Sequence, residues 1–251
     1  MLSKAQISLV TSLQHKKFRK QHGLFLVEGI KSVLEFTSSN YHIHSVFSTA
    51  EALAKMPNLP QKIKCVEVSN AEFHKISTLT NPQGILALIH LPEEDAFDWN
   101  TIRNEHSLLL DDIQDPGNLG TIIRTAEWFG IRQLICSQGT VDAYNPKVVQ
   151  ATMGSLARIK IAYTNLPDFI AHAKLPTYGA VLDGRSIYTT AFGNAGLIIM
   201  GNEGNGISHA LLERVEHPVT IPRVGNAESL NVAVATTIFC SELTRQSLAR
   251  K

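Results

Sequence analysis

The chain has 251 residues, of which 44% are hydrophobic and 18% charged, with a formal net charge of +1 at pH 7. That length suits one large domain or two modest ones, each with its own core, and no apolar run approaches the roughly 18 residues of a membrane-crossing helix. The basic cluster of MLSKAQISLVTSLQHKKFRK follows its apolar stretch, unlike a secretory signal, and Cys65, Cys136 and Cys240 are too few and too scattered for a disulfide framework or a thiolate zinc site. A cytoplasmic protein with buried thiols is expected.

The modest net charge hides an asymmetry. Residues 1–90 carry ten Lys/Arg against five Asp/Glu, a net +5, and residues 91–251 carry thirteen against seventeen, a net −4. In the basic half, HKKFRKQHG gathers Lys16, Lys17, Arg19 and Lys20 around Phe18, cations suited to phosphates and a ring suited to a base. Taken alone, the run reads equally well as a solvated helix face. Next, LFLVEG, HIHSVFS, KIKCVEVS and GILALIH read as strands alternating with the helical stretches IKSVLEFTSS, EALAKM and NAEFHKIS, which together make a compact α/β unit. His42 and His44 alternate along one of these strands, but two candidate ligands do not make a metal site. LPEEDAFDWN is acidic, contains Pro and lacks periodicity, as a linker does. The expected division is a domain over residues 1–92, a linker over 93–105 and a second domain over 106–251.

Beyond the linker the strands SLLLD, RQLICS, RIKIAY, TYGAVLD, GLIIMG and HPVTIP are separated mostly by helical segments, and a long helix follows the last of them. Apolar strands of this kind predict a parallel sheet covered on both faces, whose ligands bind in loops leaving the carboxyl ends of strands. Three such loops carry more polar chemistry than turns need. In LLLDDIQDPGNLGTIIRTAEWFG, Asn118 can cap the helix, Gly130 follows its end, and Arg124 sits inside it. Asp111, Asp112 and Asp115 make a magnesium-dependent phosphoryl-transfer enzyme a competing reading, although loop acids near Pro and Gly also form turns. In IIMGNEGNGIS the glycines are spaced GxxGxG, which is not the GxGxxG of a dinucleotide site, and they enclose Glu203. In NAESLNVAVATTIFCSEL the polar residues Glu228, Ser229 and Asn231 exceed what one helix cap requires.

Together NLGTIIRTAEWFG, IIMGNEGNGIS and IPRVGNAESLNVAVA resemble the three motifs of the SpoU (TrmH-type) RNA ribose 2′-O-methyltransferases of the SPOUT superfamily, in the same order. NPKVVQATMGSLARIKI is similar to the segment between the first two motifs. HKKFRKQHGLFLVEGIKSV and NPQGILAL resemble the family's accessory substrate-binding domain, an α/β module related to ribosomal-protein RNA binders. The resemblance implies an α/β fold whose parallel sheet ends in a deep C-terminal trefoil knot, S-adenosylmethionine as cofactor, no metal, and a homodimer. It places Asn118, Arg124, Glu203, Ser229 and Asn231 at the catalytic centre. It places Met200, Gly201, Ile221 and Leu230, with Leu182 in addition, against the cofactor. The implied substrate is structured RNA, ribosomal RNA ahead of transfer RNA. A nonenzymatic RNA-binding protein is the other alternative, set against by the intact Arg124, Glu203 and Asn231.

Overall fold

The computed structural model describes residues 2–56, 62–92 and 97–250. The chain divides into two compact units, Met1–Glu93 with Asp142–Ala157, and Glu94–Val141 with Arg158–Lys251.

The first unit contains α1 (Lys4–Ser12), α2 (Lys16–His22), β1 (Leu24–Glu28), α3 (Ile30–Thr37), β2 (Ile43–Ser48), α4 (Ala50–Ala54), β3 (Cys65–Glu67), α5 (Asn70–Ile76) and β4 (Ile85–His90). Its sheet runs β1-β4-β2-β3, with β4 antiparallel to both neighbours and β3 parallel to β2. α1 and α5 each start with a capping box, Ser3 with Gln6 and Ser69 with Glu72. Glu72 also accepts from the Leu2 amide, and the amides of Ser69 and Leu2 with the Ser69 hydroxyl hold its carboxyl down at about 2. Leu24, Leu26, Phe47, Phe73, Leu86 and Leu88 fill the core between sheet and helices.

In the second unit the order is α6 (Trp99–Asn104), β5 (His106–Leu110), α7 (Pro116–Trp128) and β6 (Gln133–Cys136). Then comes α8 (Pro146–Thr152), part of the segment that belongs to the first unit. β7 (Lys160–Tyr163), α9 (Leu166–Ala173), β8 (Thr177–Ser186), β9 (Gly196–Met200), α10 (His209–Leu212), β10 (His217–Thr220) and α11 (Val232–Ala249) complete the chain. The six strands are all parallel, in the order β10-β8-β9-β5-β6-β7. β6 and β9 are buried throughout, as is β5 from Ser107 on, so these strands read as apolar runs and not as alternations. Residues 93–96 of the expected linker lie outside the described residues. From Phe97 the chain joins the second core: Asp98 caps α6, Ile102 is buried with Leu109 and Ile135, and Trp99 stacks on Phe169 at 5.5 Å. α8 stops at Thr152, where Met153 takes a left-handed φ of 51°.

Two expectations are corrected. Cys136 and Cys240 are buried, and burial pushes the Cys240 thiol up to about 12 and Cys136 further still, but Cys65 is exposed. Arg19, expected among the RNA-contacting cations, is only 2% exposed. Its Nε and Nη2 donate to Asp142 Oδ2 at 3.1 and 2.6 Å, and Nη1 donates to the carbonyls of Leu13 and Gln14 at 2.9 Å each. These bonds lie inside the first unit, where the Tyr144 ring also packs, tilted, 4.8 Å from that of Phe25. Lys16, Lys17 and Lys20 are exposed, with the Lys17 Nζ 5.9 Å from the Phe18 ring.

Replacing Arg19 by Ala strands Asp142 and two carbonyls. A loss of roughly 3 kcal/mol or more in unfolding free energy is expected, the cost of removing one partner of a buried pair. The same urea titration on a protein with Lys16, Lys17 and Lys20 changed to Gln should move by no more than about 0.5 kcal/mol each, as for surface substitutions.

Candidate active site

Strand order reverses beside β5: the chain leaves it toward β6 and β7 on one side and returns to β9, β8 and β10 on the other. In an open parallel sheet that reversal leaves a crevice at the carboxyl ends, where ligands bind. The loops after β5 and β9 meet there.

The first loop ends in α7. Asn118 was read as its cap, but Asp115 takes that role: its Oδ1 accepts the Asn118 amide at 2.7 Å, and Pro116 follows in the first turn. The Asn118 side chain is thereby released for other partners. Its Nδ2 donates to Glu203 Oε1 at 2.8 Å, and its Oδ1 accepts from Asn231 Nδ2 at 2.9 Å. Asn231 caps α11, its Oδ1 accepting the amides of Ala233 and Val234 at 2.9 and 3.3 Å. These partners fix both amide orientations. The Asn231 oxygen must face the helix amides, so its NH2 faces Asn118, and the Asn118 NH2 faces a carboxylate that can only accept. Every donor points toward Glu203, which gives a polarised, charge-assisted chain.

Glu203 stands at the exposed apex of a tight loop in which Asn202 and Gly206 exchange backbone hydrogen bonds at 2.9 and 3.0 Å. A Cβ on Gly201 would run into the Gly206 carbonyl and the Ile207 amide. The glycine therefore lets the loop fold back on itself. Asp111, Asp112 and Asp115 spend their carboxylates separately, on the Ser208 amide, on the Gln114 Nε2 and on the Asn118 amide. Among the described residues no group of three or more His, Cys, Asp and Glu is placed to hold a metal. The acidic stretch is turn and cap chemistry, and the magnesium reading loses its clustered ligands.

Arg124 lies on α7, exposed, six residues past Asn118 and so about 120° around the helix from it at ~100° per residue. It shares its face with Trp128, one turn on and 81% exposed. Ser229 is exposed and makes no side-chain hydrogen bond among the described residues. Met200 is buried at the end of β9, and Ile221 is half-buried just past β10. Leu182 on β8 is 77% exposed and Leu230, beside the α11 cap, 50% exposed; the Thr220 hydroxyl donates to the Leu182 carbonyl, which brings the end of β10 alongside. The structure joins Asn118, Glu203 and Asn231 directly and leaves Leu182 and Leu230 as open apolar surface. Sequence reading missed Asn202, whose only signal was its place between Gly201 and Glu203.

Residues 105–241 match the model of the SpoU rRNA Methylase family, and residues 4–87 match the MRM3-like substrate binding domain. The chain is similar to the 23S rRNA (guanosine(2553)-2′-O)-methyltransferase RlmP of Bacillus subtilis, 35% identical over 236 residues that cover 92% of each chain. Among solved structures it resembles an RNA methyltransferase assigned to the TrmH family from Porphyromonas gingivalis, at 40% identity and a TM-score of 0.89, covering 98% of this chain and 99% of that one. It also resembles an AdoMet-bound rRNA methyltransferase from Sinorhizobium meliloti, at 28% identity and a TM-score of 0.86, covering 98% and 96%.

The Glu203, Asn118 and Asn231 contacts lie in exposed surroundings, so water replaces them when they break. Asn118→Ala should lower unfolding free energy by less than about 1 kcal/mol, measured by urea denaturation. A larger loss would make the chain of amides a structural tie.

Proposed function

Because the chain belongs to the SpoU rRNA methylase family, we propose that it transfers the methyl group of S-adenosylmethionine to a ribose 2′-hydroxyl of structured RNA. Ribosomal RNA is favoured over transfer RNA by the likeness to a 23S rRNA enzyme along nearly the whole chain. The observation that carries the reading is the chain from Asn231 through Asn118 to Glu203, two residues at helix starts and one in a loop, far apart in sequence and joined at the switch point of a parallel sheet.

The donor set fits such a cofactor: Leu182, Ile221 and Leu230 offer apolar surface for an adenosine, and the loop from Met200 through Gly201 offers backbone groups. When bound, S-adenosylmethionine supplies a methyl group made electrophilic by its sulfonium. The chain's own residues align the hydroxyl for in-line attack. Glu203, Asn118 and Asn231 present acceptors and donors in fixed orientation to the ribose, and Ser229 borders them. Arg124 stays protonated and cannot take the hydroxyl proton. It holds a phosphate instead, and that phosphate or another acceptor of the site takes the proton. No step calls for a metal ion.

The assembly is read as follows. The segments around β8 and β10 form the deep trefoil knot, a reading supported by the tight pass of Gly184, whose Cβ would lie 2.7 Å from the Pro218 carbonyl. Residues 1–92 act as the RNA-binding domain, with Lys16, Lys17 and Lys20 on phosphates and the match to a substrate binding domain in support. Two chains pair through the exposed face of α7 and α11, where Trp128 and Val234 are uncovered and Arg124 lies beside Trp128. The cytoplasm is the compartment that holds the substrate.

With EDTA present, the purified protein should bind S-adenosylmethionine in a calorimeter and place its labelled methyl group on a 2′-hydroxyl of ribosomal RNA. A magnesium requirement, or label on a base, overturns the reading.

If Arg124 serves the partner's site, mixing an Arg124→Ala protein with a Ser229→Ala, Asn231→Ala protein should restore activity to about half of wild type per heterodimer, since one of its two composite sites carries neither defect. No recovery places Arg124 in its own chain's site. A fully active monomer in sedimentation removes the dimer.

A further inference from the structure

Asn202 makes more hydrogen bonds than a turn requires. An asparagine that only shapes a turn accepts from a backbone amide two residues on. Asn202 does this, its Oδ1 accepting the Gly204 and Asn205 amides at 2.8 and 3.1 Å. The other end of the same amide leaves the loop: Nδ2 donates to the Asp112 carbonyl at 2.7 Å, with a longer contact of 3.5 Å to Asp112 Oδ2. Asp112 is itself unusual. It has a φ of 57°, which non-glycine residues seldom adopt, and its amide donates to the Ser137 hydroxyl at 2.8 Å. Backbone held this way next to an active site is strain that the surroundings must maintain.

These contacts close a ring. From Asp112 the chain runs to Asn118; the Asn118 side chain reaches Glu203; Glu203 follows Asn202; and Asn202 returns to Asp112. Two hydrogen bonds and two short peptide segments thus fix where the Glu203 carboxylate stands, although Glu203 is exposed and few neighbours pack against it. The glycine loop has a separate anchor at its far end, where the buried Asp111 carboxylate accepts the Ser208 amide at 2.8 Å and the Asp111 amide donates to the Met200 carbonyl at 2.9 Å. That anchor and the exchange of bonds between Asn202 and Gly206 keep the loop folded when the ring is opened.

We propose that Asn202 is a positioning residue for methyl transfer: its amide ties the β9 loop to the Asp112 carbonyl and so holds Glu203 against Asn118 in the geometry the reaction uses. The proposal rests on the methyltransferase reading above. It separates two tasks within one loop, since the Asp111 anchor maintains the fold and the Asn202 latch sets the carboxylate.

The test is steady-state methyl transfer by Asn202→Ala and Asn202→Asp, alongside calorimetric S-adenosylmethionine binding and thermal unfolding of the same proteins. Asn202→Ala removes the latch. Asn202→Asp keeps the acceptor for the Gly204 and Asn205 amides but sets an oxygen against the Asp112 carbonyl. Both should lose about 10- to 100-fold in kcat, the cost of a misplacement near 1 Å, with the RNA KM, the cofactor Kd and the unfolding temperature close to wild type. Wild-type kcat in both variants overturns the proposal. Weakened cofactor binding with unchanged kcat also overturns it, by making Asn202 a wall of the pocket, and loss of fold in both makes it a structural tie. Failure of the wild-type protein to transfer methyl would instead overturn the function on which the proposal is built.

Discussion

The hydrogen-bonded chain from Asn231 through Asn118 to Glu203 depends on helix capping elsewhere. Asparagine at a helix start is normally consumed by capping. Here Asp115 caps α7 and leaves Asn118 free, while Asn231 caps α11 with its oxygen and keeps its NH2 for Asn118. Two helix starts and one glycine loop thus converge on a single carboxylate. Asn231 is oriented by backbone amides that a folded helix must satisfy in any case, and it orients Asn118 in turn, so the site's geometry starts from ordinary helix-capping chemistry.

The parallel sheet makes the convergence possible. β5 and β9 are adjacent although 85 or more residues separate them, and their carboxyl ends deliver Asp111 and Gly201 side by side. Covered on both faces, the two strands present continuous apolar side chains and hold the loops on a rigid base. The loops themselves are exposed and polar, as loops that carry function tend to be. What stiffens them is the pair of cross-loop contacts, Asp111 with Ser208 and Asn202 with Asp112.

Charge divides in a similar way. The basic cluster on α2 contains one residue that faces inward, and burial turns Arg19 from an expected phosphate ligand into the donor of four hydrogen bonds, to Asp142 and two carbonyls. Its partner begins the segment Asp142–Ala157, which lies in the second half of the sequence but belongs to the first compact unit. The flanking lysines remain on the surface. Four neighbouring cations therefore lie in two different environments, and only packing distinguishes them.

Sequence determined the strands and most helices, because apolar runs, caps and glycine stops are local: SLLLD, RQLICS and GLIIMG are strands, and Gly130, with a φ of 76°, follows the end of α7 as read. The resemblance of its motifs to the SpoU family also singled out Asn118, Glu203 and Asn231, which hydrogen bonds join in the structure. Sequence could not decide which asparagine caps and which reaches across, because a side-chain amide serves either purpose and the choice depends on what lies opposite. Nor could it tell that Gly201 makes room for Gly206 and Ile207, that Cys65 is exposed while the other two cysteines are buried, or that Arg19 turns inward. Those outcomes are set by contacts between residues distant in sequence, which exist only once β5 has paired with β9 and the 142–157 segment has packed against β1.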